Sequence, residues 1–375
     1  MIRRGHTLLE LIIVMMIVGM GMVIFIPQIL RSRGEFRLAG CAMKQSRLAK
    51  AVLMYENVNG HLPVGGIADS KFCISRNLFG SCYDQYAGKR YSWVALVLPQ
   101  LNLGDTFDRI DFNETAFESG GVGESLTELI CPDDSIGAKG FAFVTSQRTT
   151  VFGLGNYAGF MTPSYLDFEL YHPGALGGFD PGTTVGQRLA QIVDGSSRTL
   201  LLSEVRRRPD YSHPEDFGLS AYSAFGTNVG TTGDPRGAWA LGWQGAAIIS
   251  AGYLSVEDAS CPDHFRNPWT PRPNTPAEWV LRPNTNCDGC HNDELVRCPR
   301  PLDADRRGMP CWRYTSPFAG AAAPRSLHDG GVNAAFVDGR VEFVSNDIDA
   351  LVYAQSIGVE DAGPAFRPRR QKSLR

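Results

Sequence analysis

The hydrophobic positions of this chain form one continuous run at its start and short, interrupted runs afterwards. No residue from Leu11 to Ile26 is charged. Counted from Leu8 to Leu30, with Glu10 included, the run reaches the roughly 20 residues that a helix needs to cross a bilayer. Arg3 and Arg4 precede the run, as expected on the cytoplasmic side of a membrane. The pattern predicts a single membrane-spanning helix.

The helical pattern continues beyond the apolar run. Between residues 31 and 58, apolar positions recur at helical intervals with basic residues between them, at Leu38, Ala42, Leu48, Val52 and Tyr55. Gly60 and Pro63 then predict the end of the helix. We therefore expect residues 6–59 to form one helix that leads from the membrane into a globular head.

Residues 60–363 are predicted to form a β-rich head, which makes the expected fold class α+β. Short apolar runs alternate with turns, and the chain holds 41 Gly and 23 Pro. Residues 198–205, after the turn "VDGSS", predict a buried strand, and residues 129–135 predict a strand end and a turn. Trp239 and Trp243 are expected in the core.

The clearest β signal lies near the C-terminus, within residues 326–350. Two apolar runs, Val332–Val337 and Arg340–Ser345, flank Asp338-Gly339. This dipeptide predicts a hairpin with a two-residue turn whose central residues both have positive φ. The tail after it, residues 364–375, is basic and is predicted to be disordered.

Residues 253–324 differ in composition from the rest of the head. They contain 11 of the prolines and five cysteines. Such a segment predicts an irregular insertion that crosslinks hold together more than packing does.

Nine cysteines are unusual for a protein of a reducing cytosol, and they favour export to an oxidising compartment. The number is odd, so at least one cysteine has no partner within the chain. A bridge between Cys73 and Cys82 would close a short loop, but the connectivity stays open. The candidates for disulfides are Cys41, Cys73, Cys82, Cys131, Cys261, Cys287, Cys290, Cys298 and Cys311.

Glu10 is the residue that an ordinary membrane anchor explains poorly. A carboxylate at the centre of a spanning helix costs about 2.5–3.5 kcal/mol, and less near an end, so such groups are usually paired. The residues around Glu10 suggest a partner. Arg3-Arg4-Gly5, followed by His6-Thr7-Leu8-Leu9-Glu10, resembles the leader of type IV prepilins, with His6 where phenylalanine is usual.

The resemblance implies several roles. A prepilin peptidase would cut after Gly5, and the new N-terminal residue, His6, would be methylated. Glu10 would then pair with the N-terminal ammonium of a neighbouring pilin-like subunit. Pro27 matches the proline that kinks many pilin helices.

A second resemblance lies in the hairpin. His328, nine further residues and Asp338-Gly339 match the H-x9-D-G signature of a large bacterial pilin-like family of unknown function. Other blocks similar to that family follow in its order, and the likeness spans Arg3 to about residue 350. It implies architecture and export. We assign His328 a structural role rather than that of a catalytic base.

The topology has two conflicting indications. Basic residues after the span would place that side in the cytoplasm by the positive-inside rule: Arg31, Arg33, Arg37, Lys44, Arg47 and Lys50. The leader and the cysteines indicate the opposite. Because the leader match is position-specific, we expect a single-pass protein of the inner membrane whose head is exported.

Few motifs indicate chemistry. Cys287, Cys290 and His291 match the C-x-x-C-H pattern of covalent c-type haem, although disulfides are the simpler use. Zinc at Cys287, Cys290, Cys298 and Cys311, with His291 or His264, has a poorly matching spacing. The acid pairs Asp133-Asp134 and Asp347-Asp349 are candidates for Ca²⁺ but are usually only solvated. We therefore expect no cofactor and no bound metal.

The functional expectation is a structural or assembly component of a type IV pilus or a type II secretion-like system. No sequence motif of a hydrolase or nucleotide-binding enzyme is present, so we expect no catalytic residues and no enzyme activity. The net charge of −3 gives no reason to expect nucleic-acid binding. The alternatives are a membrane-anchored c-type haem redox protein and an anchored carbohydrate-binding or hydrolytic head.

Overall fold

The computed structural model describes residues 8–67, 89–134, 140–144, 149–166, 173–177, 185–208, 234–253, 280–286, 292–295, 308–313 and 320–359. Within the first helix it describes the side chains of residues 11–20, 22 and 34–59. The predicted leader, the Cys73–Cys82 loop, the C-x-x-C-H motif and the basic tail lie outside the described residues.

Helix α1 runs from Leu8 to Asn59 and ends where the sequence predicts. Gly60 follows it with φ +76°, and its N–H donates to the carbonyl oxygen of Glu56 at 2.6 Å. A glycine in this left-handed conformation is a common end of a helix. Among the residues whose side chains are described, no helix is both long enough and apolar enough to cross a membrane. The predicted spanning helix is thus not found there, although α1 is continuous in its backbone.

The other helices are short. Helix α2 is Trp93–Val97, α3 is Gly104–Phe107 and α4 is Ala350–Ile357, with 3₁₀ turns at Pro99–Leu101, Thr127–Leu129 and Leu189–Gln191. Ser92 caps α2 by accepting from Val94 N–H, and Asp349 caps α4 in the same way. Both side chains satisfy backbone donors that a helix start leaves without partners.

The strands in chain order are β1 Gly140–Val144, β2 Thr149–Gly153, β3 Tyr157–Thr162, β4 Leu200–Glu204, β5 Ile248–Ser250, β6 Asp293–Leu295, β7 Cys311–Arg313, β8 Gly331–Phe336 and β9 Val341–Ser345. Five of them form a mixed sheet in the order β5-β3-β4-β8-β9. The β3–β5 pair is parallel, and the other pairs of this sheet are antiparallel. Helices together with this sheet confirm the α+β class.

Both faces of the five-stranded sheet are covered. On one face, Tyr157, Leu202 and Ala335 join Leu48 and Val52 of α1 in an apolar cluster. The predicted core residues Trp239 and Trp243 belong to the same cluster, and each is about 1% exposed. The opposite face has its own cluster, which includes Phe160, Leu200, Val332, Tyr353 and Ile357. Strand β4 is the middle strand of this sheet, and it is buried along its whole length.

The C-terminal hairpin forms as predicted, but its turn differs. Phe336 N–H donates to the Arg340 carbonyl at 2.8 Å, so the loop holds three residues rather than two. Gly339 has φ +86°, whereas Asp338 does not have positive φ. A three-residue loop with one left-handed residue is the next most common hairpin connection, and it requires glycine at one position only.

Two other segments also differ from expectation. Ile130 and Cys131 belong to no strand, so the strand end predicted in residues 129–135 is wrong, although the turn there is present. In the proline-rich segment 253–324, the described residues supply the parallel pair β6–β7. Val280, Leu295 and Ala322 are buried there, so packing contributes as well as crosslinks.

A buried ionic group fixes this segment to the head. The Asp293 side chain is about 1% exposed. It accepts from Arg325 Nε and Nη2 at 2.8 Å each and from Ala323 N–H at 3.0 Å. Arg236 Nη1 lies 3.4 Å from the same carboxylate. Removing one member of such a group leaves buried charges without compensation.

We therefore expect Asp293→Ala to lower the free energy of unfolding by about 3–5 kcal/mol. Urea unfolding followed by tryptophan fluorescence measures the change. Glu342→Ala is the matched control, because Glu342 pairs with Arg340 on the surface and should cost less than about 1 kcal/mol. Equal losses for the two variants would contradict the prediction.

Candidate functional site

His328 lies just before β8, between two carboxylates that come from distant parts of the chain. Its Nε2 is 3.2 Å from Glu204 Oε1, and its Nδ1 is 3.1 Å from Asp133 Oδ2. The side chain of His328 is about 4% exposed. Both ring nitrogens are therefore held by acids, and little of the ring meets water.

Glu204 is the last residue of β4, and its carboxylate is buried at the point where β4 and β8 pair. Its Oε2 accepts from Asn333 N–H at 2.8 Å, and its Oε1 accepts from Asn333 Nδ2 at 3.1 Å. A carboxylate removed from water is costly unless hydrogen bonds compensate it. Asn333 and His328 provide those bonds.

A disulfide between Cys41 and Cys131 lies beside the histidine. Cys41 belongs to α1, and Cys131 Sγ is 3.9 Å from His328 Nε2. The ligand-type atoms of Cys41, Cys131, Glu204 and His328 all lie within 4.8 Å of one another, and all four residues are buried. We call these four residues the His328 cluster. The disulfide spans a sequence separation of 90 residues, and bridges of this length typically contribute about 2–5 kcal/mol.

The loop that carries Cys131 and Asp133 is held from two sides. From the sheet side, Asn156 Oδ1 accepts from Cys131 N–H at 2.9 Å, and Asn156 Nδ2 donates to Asp134 Oδ2 at 2.6 Å. From α1, Lys44 Nζ donates to the carbonyl oxygen of Ile130 at 2.8 Å. These bonds place Asp133 against the histidine without help from a regular strand.

Two hydrogen bonds attach α1 to the sheet near Cys41. Tyr157 Oη donates to the Cys41 carbonyl at 3.0 Å, and Gln45 Nε2 donates to the Leu202 carbonyl at 3.0 Å. Burial raises the pKa of Tyr157, and the charge of Glu204 adds to the shift, so the phenol stays protonated and serves as a donor. The helix is thereby fixed at the cluster.

The charge state of His328 follows from two opposed effects. Burial by itself lowers the pKa of an imidazole, but the hydrogen bond and the charge of Glu204, together with Asp133, outweigh it. The pKa of His328 is therefore raised above its usual 6.5. The carboxylate of Asp133 has a second charged neighbour, because its Oδ1 lies 3.3 Å from Arg37 Nη1.

The cluster connects α1, the Cys131 loop, β4 and the residues before β8. Cys41 is fully buried and Glu204 is about 1% exposed, so both residues are removed from solvent in this conformation. The arrangement holds the imidazole of His328 between two acids, next to a disulfide.

Comparison with known families bears on the same residues. The family described as "Protein of unknown function (DUF1559)" matches residues 33–351. The chain belongs to the DUF1559 family. The matched stretch contains the whole His328 cluster and the second half of α1. No curated protein and no solved structure matches the chain.

The other residues singled out in the DUF1559 sequence lie elsewhere. Asp338 and Gly339 form the hairpin loop, where Asp338 Oδ1 accepts from Arg340 N–H at 3.0 Å. Cys311 is also disulfide-bonded. Outside the described residues or side chains lie Gly5, His6, Glu10, Pro27, Cys73, Cys82, Cys261, His264, Cys287, Cys290, His291 and Cys298.

Sequence reasoning did not identify Glu204 or Asp133 as partners of His328, nor Asn333 as a partner of Glu204. Glu204 had a signal of its own, because it is the single charged residue in the run "TLLLSE", which the sequence predicts to be a buried strand. A charged residue at such a position needs a partner. The identity of that partner depends on the pairing of β4 with β8, which the local sequence does not reveal.

We expect the contribution of His328 to the stability of this DUF1559 protein to depend on pH. Because the folded pKa is raised, the contribution is complete below about pH 6.5, the unfolded value, and is lost as the pH rises through the folded pKa. Urea unfolding of the oxidised protein and of His328→Gln, between about pH 5.5 and pH 9, measures the difference in stability.

The control for this experiment is His61→Gln. The ring of His61 contacts Tyr55 and the Leu62 carbonyl instead of the cluster. A stability difference between wild type and His328→Gln that stayed constant, or grew, with rising pH would show that the imidazole carries no extra charge in the folded state.

Proposed function

We propose that this protein is a pilin-like, exported protein of the inner membrane. It acts as a structural or assembly component of a type IV pilus or a type II secretion-like system. The start of α1 serves as membrane anchor and assembly helix, and the head faces outward. The protein acts by assembly and not by catalysis.

The observation that carries this proposal is the contrast between the two ends of α1. All large apolar side chains described from Leu11 to Met22 are exposed, by 44–68%. In the second half of the same helix, Cys41, Leu48 and Val52 are fully buried against the head. Apolar residues exposed all around a helix need another apolar environment, which a membrane or the helices of other subunits would supply.

The apolar run in the sequence is longer than the part whose side chains the structure describes. The uncharged run continues to Ile26, beyond the side chains that the structure describes. The only acid near its start is Glu10, and in pilin-like proteins this residue pairs with the N-terminal ammonium of a neighbour. Cleavage after Gly5 would create that ammonium at His6. The cost of burying a carboxylate in the apolar layer would then be offset only on assembly.

The disulfide supports the exported location of the head. Stable disulfides are rare in reducing compartments and common in exported proteins. Cys41 and Cys131 join the helix to the head at a buried position.

Mass spectrometry of the N-terminus of the protein isolated from its producing cell tests the proposal directly. We expect a chain that begins at His6, with a methyl group on the new amine. A chain that retained its first five residues would have no amine at the position that Glu10 needs, and that result would overturn the pilin-like assignment.

We also expect Glu10→Val to reach the membrane fraction at the wild-type level but to lose its crosslinks to other pilin-like subunits. The substitution removes the charge that the neighbouring ammonium would meet, and it leaves the apolar run intact. Chemical crosslinking of intact membranes, followed by immunoblotting, measures the loss.

Glu35→Val serves as the matched control, because Glu35 lies on the exposed surface of the same helix. This variant should crosslink as wild type does. Assembly of Glu10→Val at the wild-type level would show that the carboxylate has no part in subunit contacts.

A further inference from the structure

We propose that Cys41, Cys131, Glu204 and His328 bind a divalent transition-metal ion of the zinc class once their disulfide is reduced. The disulfide and the metal ion are then two alternative ways to close the same junction between α1 and the head. This inference concerns the junction between α1 and the head and does not rest on the pilin-like function.

The donor set suits such an ion. Two thiolates, one imidazole nitrogen and one carboxylate oxygen are all ligands of tetrahedral zinc sites. The four donor atoms already lie within 4.8 Å of one another, in a fully buried position. His328 Nε2 is 3.9 Å from Cys131 Sγ and 3.2 Å from Glu204 Oε1. These separations are close to those between neighbouring ligands around one small ion.

The surrounding residues orient the donors in the way that metal sites require. Metal-binding histidines usually donate their second ring N–H to a carboxylate, which fixes the tautomer and directs the other nitrogen at the ion. Asp133 Oδ2 occupies that position, 3.1 Å from His328 Nδ1. Glu204 uses Oε2 to accept from Asn333 N–H at 2.8 Å, which leaves Oε1 on the side of the histidine.

The chemical step is the reduction of one disulfide. An external dithiol, or a phosphine in vitro, supplies two electrons; the S–S bond breaks, and the two sulfurs become thiols. Binding of the divalent ion then displaces the two thiol protons, and any proton on His328 Nε2, to solvent; two metal–sulfur bonds form, together with bonds to His328 Nε2 and Glu204. In a tetrahedral site with bonds of about 2.3 Å to zinc, the two sulfurs would lie about 3.7 Å apart. Only the sulfurs need to separate, since the histidine and the glutamate are already in place.

The consequence is a junction that stays closed in either redox state. While the chain is reduced, the ion would hold Cys41 of α1 against the Cys131 loop. When the chain is oxidised, the disulfide would take over and the ion would leave. Metal binding at a site that exists only in the folded chain adds to the stability of the fold.

Cobalt titration of the full-length protein tests this proposal, because thiolate-bound Co²⁺ gives a charge-transfer absorption and a tetrahedral site gives intense visible bands. The protein is fully reduced under anaerobic conditions, and the reductant is removed before titration. Since the chain contains other cysteines, the comparison is with the reduced double variant Cys41→Ser, Cys131→Ser. We expect wild type to bind one more Co²⁺ ion than this variant, and Zn²⁺ to displace it.

Two single variants keep the test independent of the cysteines. His328→Gln and Glu204→Gln should each weaken Co²⁺ binding at this site about tenfold or more and alter the visible bands. His61→Gln and Glu342→Gln are the matched controls and should bind as wild type does. We also expect Zn²⁺ to raise the unfolding temperature of the reduced wild type but not that of the double cysteine variant.

The proposal is wrong if reduced wild type and the double cysteine variant bind the same amount of Co²⁺. It is equally wrong if the His328 and Glu204 variants bind as their controls do, or if the oxidised protein shows the same extra ion. Failure of the reduced wild type either to fold or to bind with Zn²⁺ present would also overturn it.

Discussion

The buried carboxylate of Glu204 is the constraint on which the arrangement of the head depends. A charge removed from water must be met by donors, and here the donors are His328, Asn333 N–H and Asn333 Nδ2. These groups lie on β8 or immediately before it. The central pairing of β4 with β8 and the burial of this charge therefore require each other. The disulfide and Tyr157 then attach α1 to the same place.

The elements that sequence reasoning predicted well are those with a strong local pattern. The spacing of Leu48, Val52 and Tyr55 marked a helix, and Gly60 marked its end, because these signals act within a few residues of one another. Strand β4 and the hairpin β8–β9 were similarly recognisable. The turn itself was predicted with one residue too few, because the Asp-Gly signal does not distinguish a two-residue loop from a three-residue loop.

The candidate site was less predictable than the fold for a physical reason. His328 was assigned a structural role from its motif, but its partners are separated from it by more than a hundred positions. The residues Asp133 and Glu204 reach it only through the packing of α1, the Cys131 loop and the sheet. Among the nine cysteines, nothing in the local sequence distinguishes Cys41 and Cys131 as a pair. Spacing can identify a turn or a helix, but it does not identify contacts made across a core.

The strand order β5-β3-β4-β8-β9 also has a consequence for how the head folds. Strand β4 can pair with β3 early, but its other neighbour, β8, is the second-to-last strand among the described residues. Such pairing between distant segments raises the contact order, which slows folding because loop-closure entropy must be overcome first. During synthesis, β4 has no partner strand on its second side until β8, Gly331–Phe336, has been made. Cys41 and Cys131, in contrast, are both present after about a third of synthesis, so oxidation can precede the docking of the final hairpin and shorten the conformational search that remains.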